Sequence, residues 1–168
     1  MNYKKIPFGD IDKFNVLVEV PKGSENKYEY DEELGAIALE WVFTGGFCFP
    51  YNYGFIPETL GGDGDNLDAF VITSHPIPLG IIAKCRAIGI IELLDRGKKD
   101  NKIISVPVID KEYKNCENLS ELPFDYKTIF EKLYKELAIQ KNKIIEIKGF
   151  WDKSQAIEEI EKARKNFK

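Results

Sequence analysis

Apolar and polar residues alternate, or cluster in short runs, along the first two thirds of the chain, which is the signature of half-buried and buried strands. Asn15 to Val20 (NVLVEV) sets Glu19 between Val18 and Val20, and Lys27 to Tyr30 (KYEY) alternates charged with aromatic residues. Pro21, Lys22 and Gly23 supply a turn between them. Ala36 to Phe43 is mostly apolar and reads as a more buried strand, entered through Gly35. Ala69 to Thr73, Ile81 to Leu94, Ile103 to Ile109 and Ile144 to Ile147 are further β-rich runs. Pro50, Pro57, Pro76, Pro78 and Pro107 fall at edges or breaks of these runs, where a missing N–H is tolerated. Late in the chain the period changes. Tyr126, Phe130, Leu133, Tyr134 and Leu137 recur at helical spacing after Asp125. A second helix is predicted after Asp152, in capping-box register with Gln155, with Ala156, Ile157, Ile160, Ala163 and Phe167 on its buried face. Many short strands broken by Gly and Pro predict a barrel or sandwich, so the expected fold class is α+β, mainly β.

Composition narrows this picture. A chain of 168 residues, 43% hydrophobic and 31% charged, fits one globular domain, and no linker or repeat divides residues 1–168. The net charge of -4 argues against a nucleic-acid partner, because phosphate-backbone affinity needs a basic face. No apolar run is long enough to predict a membrane span, and the first residues lack the apolar core of a signal peptide. Cys48, Cys85 and Cys116 are odd in number and unpatterned, which excludes a CxxC zinc site and suits a reducing compartment. A cytoplasmic location is the expectation.

The charges are unevenly placed. From Tyr28 to Ala83 there is no Lys or Arg, while the same 56 positions carry nine acids. Asp31, Glu32, Glu33, Glu40 and Glu58 read as solvated turn and surface residues. Gly61 to Asp68 (GGDGDNLD) is different, since it places Asp63, Asp65 and Asp68 within six residues ahead of an apolar strand. Carboxylates this close raise one another's pKa unless a cation neutralises them. Asp95 and Asp100 form a second acidic pair in the predicted turn DRGKKDNK. Hard oxygen donors without Cys or several His suit Mg²⁺ or Mn²⁺ rather than zinc. An EF-hand does not fit, because Leu67 occupies the third ligand position and the Gly and closing Glu are misplaced. Taken alone, the aspartate pattern fits a metal site and a decorative Asp-Gly turn equally well.

Read in order, VEVPKGS, KYEY, FPYNYGFIPETLGGDGDNLDAFVI, ELLDRGKKDNKIISVP and LYKEL resemble the family I soluble inorganic pyrophosphatases, from about Val16 to the second helix. The resemblance implies a five-stranded OB-type barrel with flanking helices, one of them C-terminal. It also implies Mg²⁺-dependent hydrolysis of inorganic diphosphate to two phosphates, and a homo-oligomer with a hexamer favoured. Carried over by motif, Asp63, Asp68 and Asp100 would ligate a first metal, with Asp68 bridging to a second. Asp95 and Asp100 would hold a metal that arrives with the substrate, and Glu19 would act mainly through metal-bound water. Asp65 resembles the general base, and Glu29 an acid that tunes the metal-bound waters. Lys27, Tyr53, Lys102, Tyr134 and Lys135 match residues that hold phosphate oxygens. Outside the resemblance, the tyrosines read as core aromatics, the lysines as solvated charges, and Glu19 and Glu29 as polar faces of strands.

Three departures from the family pattern stand out. Trp41 occupies the position of a phosphate-binding arginine, Phe49 that of a tyrosine, and Asn66 that of a Pro or Glu. None of the three arginines, Arg86, Arg96 and Arg164, lies near enough in sequence to substitute obviously. The expectation is an active pyrophosphatase with altered affinity or metal demand. The alternative is a diverged homologue that binds metal and phosphate compounds with weak or no turnover. An OB-type nucleic-acid or protein-interaction module is disfavoured: the acidic charge and the 56 positions without a basic residue argue against nucleic acid, and a purely structural role leaves the aspartates without a purpose.

Overall fold

The structure, a computed structural model, describes residues 3–167. Ten strands and two α-helices run through them: β1 (Gly9–Asp10), β2 (Lys13–Val20), β3 (Asn26–Asp31), β4 (Ala36–Val42), β5 (Asn52–Phe55), β6 (Asp68–Val71), β7 (Ile82–Asp95), β8 (Lys98–Lys99), β9 (Lys102–Pro107), α1 (Tyr126–Gln140), β10 (Ile145–Asp152) and α2 (Lys153–Phe167). Five strands close into a ring. β2 pairs with β5, β5 with β6, β6 with β9, β9 with β7, and β7 returns to β2. Within this ring only β6 and β9 run parallel. The result is the five-stranded OB-type barrel, and closure leaves its wall without free edges. β10 extends the sheet beyond β7, while β3 and β4 form a separate hairpin.

Both faces of the barrel wall are apolar, which is why the strands read as nearly continuous hydrophobic runs. One face carries Phe14, Val16, Val18, Ala69, Val71 and Ile103, and packs with Ala156, Ile160 and Ala163 of α2. The other carries Val20, Tyr53, Phe70 and Ile104, and packs with Phe130, Leu133 and Tyr134 of α1. β5 lies within the aromatic segment FPYNYGF, where no alternation marks a strand. A Cβ at Gly54 would stand 1.8 Å from the Leu17 carbonyl oxygen, so only glycine lets β5 approach β2 this closely.

The two helices fall where the period predicted them. The Asp125 carboxylate caps α1, accepting from the Thr128 N–H at 3.2 Å. Asp152 ends β10 directly before α2. Phe167, expected on the buried face of α2, is exposed. β4 also departs from expectation: Leu39 and Val42 are exposed, because among the described residues this strand pairs only with β3.

Candidate active site

Strand pairing builds the centre of the site. The parallel register sets Asp68 of β6 beside Lys102 of β9, and the antiparallel register sets Tyr53 of β5 opposite Phe70 of β6. Alternation then puts Tyr53, Asp68 and Lys102 on the face covered by α1. The Lys102 ammonium donates to Asp68 Oδ2 and to Asp100 Oδ1, each at 2.5 Å. The Tyr53 hydroxyl donates to the same Asp68 oxygen. Lys102, Tyr53 and Tyr134 are all buried.

The acidic loop reaches this centre because its neighbours are pinned. Leu67 is buried, its N–H donates to Thr59 Oγ1 at 2.8 Å, and the Asn66 amide donates to the Thr59 carbonyl at 2.7 Å. Asn66 therefore ties the loop down by hydrogen bonding. Gly64, at a φ of 104°, supplies the left-handed residue of the turn, and the Asp65 N–H caps back to Asp63 Oδ1 at 3.1 Å. Asp63 and Asp65 are left exposed, facing the cleft.

Two β-bulges aim glutamates at the same region. Val18 pairs with Gly54 and Val20 with Tyr53, so Glu19 is the extra residue of β2. Its carboxylate is buried and accepts the Tyr30 N–H at 2.7 Å. In the hairpin, Lys27 pairs with Trp41 and Tyr28 with Leu39, so Glu40 is the extra residue of β4. Glu40 bonds the ammonium groups of both Lys27 and Lys141. The expectation that Glu40 is an ordinary surface residue is thereby corrected. So is that for Glu58, which accepts from the Phe8 N–H at 3.2 Å and from Arg164 at 2.9 Å.

A cleft of about 690 Å³ is lined by Lys27, Glu29, Tyr53, Asp63, Asp65, Asp68, Asp95, Asp100, Lys102 and Tyr134. An adjoining cavity of about 230 Å³ adds Glu19 and shares Lys27, Asp65 and Asp68 with the first. Lys135 does not join them. It is exposed on α1, one residue and hence about 100° around the helix from Tyr134. Five further charged residues line the cleft that sequence reasoning missed: Glu40, Arg96, Lys98, Lys141 and Lys143. The signal available for Lys141 and Lys143 was two cations flanking an asparagine at a helix C-terminus.

Burial and crowding set the protonation of these groups. Burial, then the Asp68 charge, pushes the Glu19 carboxyl up to about 8. Burial also raises Asp100, to about 6, because Asp68 and a hydrogen bond with Asp63 reinforce it against the pull of Lys102. Asp65 is raised by burial and by the charges of Asp63 and Asp68. For Lys102, burial works against the ammonium, but the two carboxylates flanking it outweigh burial and hold it charged. Asp95 goes the other way, held below the usual carboxylate range against burial by Lys143 at 2.8 Å and by Arg96. Among the described residues, no group of three or more His, Cys, Asp or Glu is placed to hold one metal ion. The Lys102 ammonium itself stands between Asp68 and Asp100. The donor chemistry still suits a hard divalent cation, since every carboxylate here is an oxygen donor and, among the described residues, buried Asp95 Oδ1 has only the Arg96 guanidinium at 3.3 Å and no hydrogen bond.

The profile of the family described as inorganic pyrophosphatase matches residues 16–168. An inorganic pyrophosphatase of Campylobacter jejuni is 41% identical over 175 aligned positions, covering 100% of both chains. Another, from Thermus thermophilus, is 37% identical over 95% of this chain and 94% of its own. A solved inorganic pyrophosphatase from Thermus thermophilus superposes with a TM-score of 0.89 at 33% identity, covering 99% of each chain. The protein belongs to the inorganic pyrophosphatase family.

Proposed function

We propose that this protein hydrolyses inorganic diphosphate to two phosphates with Mg²⁺ as cofactor. The observation that carries the reading is one cleft in which the carboxylates of Asp63, Asp65, Asp68 and Asp100 face Lys27, Lys102, Tyr53 and Tyr134. Held by Asp63, Asp68, Asp95 and Asp100, with Glu19 nearby, Mg²⁺ would neutralise substrate charge and lower the pKa of water. Asp65, its proton affinity raised by partial burial and by Asp63 and Asp68, accepts a proton from the attacking water. The water oxygen bonds to one phosphorus, the bridging P–O bond breaks, and the second phosphate leaves. Lys27, Lys102, Tyr53 and Tyr134 donate to phosphate oxygens from fixed positions, which favours charge developing there. Glu29 stands 3.2 Å from the Lys27 ammonium and keeps it aimed into the cleft.

Residues 1–168 are read as one inorganic pyrophosphatase-like domain, a reading supported by the family match over 16–168. The resemblance further supports a cytoplasmic homo-oligomer, with a hexamer favoured. The test is turnover of diphosphate in ¹⁸O-labelled water with Mg²⁺. One labelled oxygen in one of each pair of product phosphates supports the proposal. Binding of diphosphate without phosphate release overturns it in favour of a diverged homologue.

A further inference from the structure

The last turn of α1 is fixed from two directions. Asn142 adopts a φ of 48°, and the N–H groups of Asn142 and Lys143 bond back to the Ile139 and Ala138 carbonyls at 3.3 and 2.9 Å, closing a Schellman motif. The Gln140 side chain accepts from the Thr44 N–H at 3.0 Å and donates to the Thr44 carbonyl at 3.1 Å, which ties the turn to the chain just past β4. Lys141 therefore lies against β4. Its ammonium stands 5.5 Å from the centroid of the Trp41 ring and bonds one oxygen of Glu40, while Lys27 bonds the other.

A lysine at a helix C-terminus ordinarily keeps its head in water and its long stem mobile. The Lys141 side chain is only 11% exposed, and it lines the cleft. Its rotamer freedom is already lost before any ligand arrives, so its charge is delivered pre-placed. Trp41 carries no charge, yet the face of its ring holds one in position.

We infer that Lys141 binds a phosphate group of the substrate, positioned for this by Glu40 and by the Trp41 ring. The inference rests on the diphosphatase reading and deepens it. An incoming diphosphate meets Lys27 and Lys141 as a pair bridged by Glu40, in addition to Lys102. The charge that the family pattern places at position 41 is supplied by a different element, the end of α1.

The test measures affinity for methylenebisphosphonate, whose carbon bridge water does not cleave, by calorimetry with Mg²⁺, alongside the KM and kcat of diphosphate hydrolysis. Lys141→Gln is expected to weaken analogue binding and raise KM about 10- to 150-fold, the equivalent of one lost charge-assisted hydrogen bond. Lys141→Arg restores most of the affinity, and Lys135→Gln costs less than Lys141→Gln. Trp41→Leu loses part of the affinity and Trp41→Phe retains it, which separates positioning by the ring from general damage to the fold. Thermal midpoints confirm that each variant is folded. Wild-type hydrolysis with unchanged binding by Lys141→Gln, or a larger loss at Lys135→Gln, overturns this inference alone. A wild-type protein that neither binds the analogue nor hydrolyses diphosphate removes the functional reading and this inference with it.

Discussion

Replacing Glu19 with Gln isolates the electrostatic cost of the acidic centre. Gln keeps the size of the side chain and the oxygen that accepts the Tyr30 N–H at 2.7 Å, so the bulge of β2 retains its tie to β3. Only the ionisable group is removed. The Glu19 carboxyl lies at about 8 in the folded chain against 4.5 for an ordinary glutamate, chiefly because it is buried and secondly because Asp68 is near. The folded state thus holds this proton more tightly than the unfolded state. Stability from Glu19 is greatest below about pH 4.5 and falls as pH rises towards 8. At 1.36 kcal/mol per pH unit the ceiling on that loss is about 5 kcal/mol, and relaxation of the site reduces it to about 2–4 kcal/mol. Urea denaturation in EDTA at about pH 5 and about pH 9 reads the difference directly. Glu19→Gln should exceed the wild type by less than about 1 kcal/mol at the lower pH and by about 2–4 kcal/mol at the higher. An equal gap at both pH values would refute the assignment of a proton-retaining, desolvated Glu19.

Other consequences follow from the same geometry. Asp65→Asn should lower turnover by about 10²- to 10⁴-fold, yet shift stability by no more than about 0.5 kcal/mol, because Asp65 is exposed; near-normal turnover removes it from the base role. Lys102→Met strands Asp68 and Asp100 without their shared cation, and should cost about 3–5 kcal/mol at neutral pH. That cost should shrink as pH falls towards about 6, because without the pull of Lys102 the Asp100 carboxyl of the variant takes up its proton above the value of about 6 it has in the wild type; a pH-independent cost would contradict it. Gly54→Ala forces a methyl to 1.8 Å from the Leu17 carbonyl oxygen, and should cost more than about 3 kcal/mol in urea denaturation. A silent Gly54→Ala would mean that β5 does not approach β2 as described.

Much of this was legible in local sequence pattern. The barrel strands announced themselves by apolar runs, and α1 and α2 by their period. The loop acids were visible because nothing but a site or a turn accounts for three aspartates in six residues. Glu19 and Glu40 were harder to place, since a two-residue period gives no sign of the extra residue that a bulge inserts. Glu19 entered through the family resemblance alone, and Glu40 was read as surface. Lys141 and Lys143 meet Glu40 and Asp95 across 101 and 48 residues, contacts that no short-range pattern encodes. The resemblance also carried Lys135 into the site, where the helical turn directs Tyr134 inward and its neighbour outward. β4 looked buried because apolar composition does not reveal whether a strand has a second neighbour.

The most direct measurement is the rate of phosphate release from inorganic diphosphate by the purified protein with Mg²⁺, compared with the same protein in EDTA. The account predicts catalytic turnover that requires the metal and yields two phosphates per diphosphate. Absence of release with Mg²⁺ present, or an unchanged rate in EDTA, would contradict it.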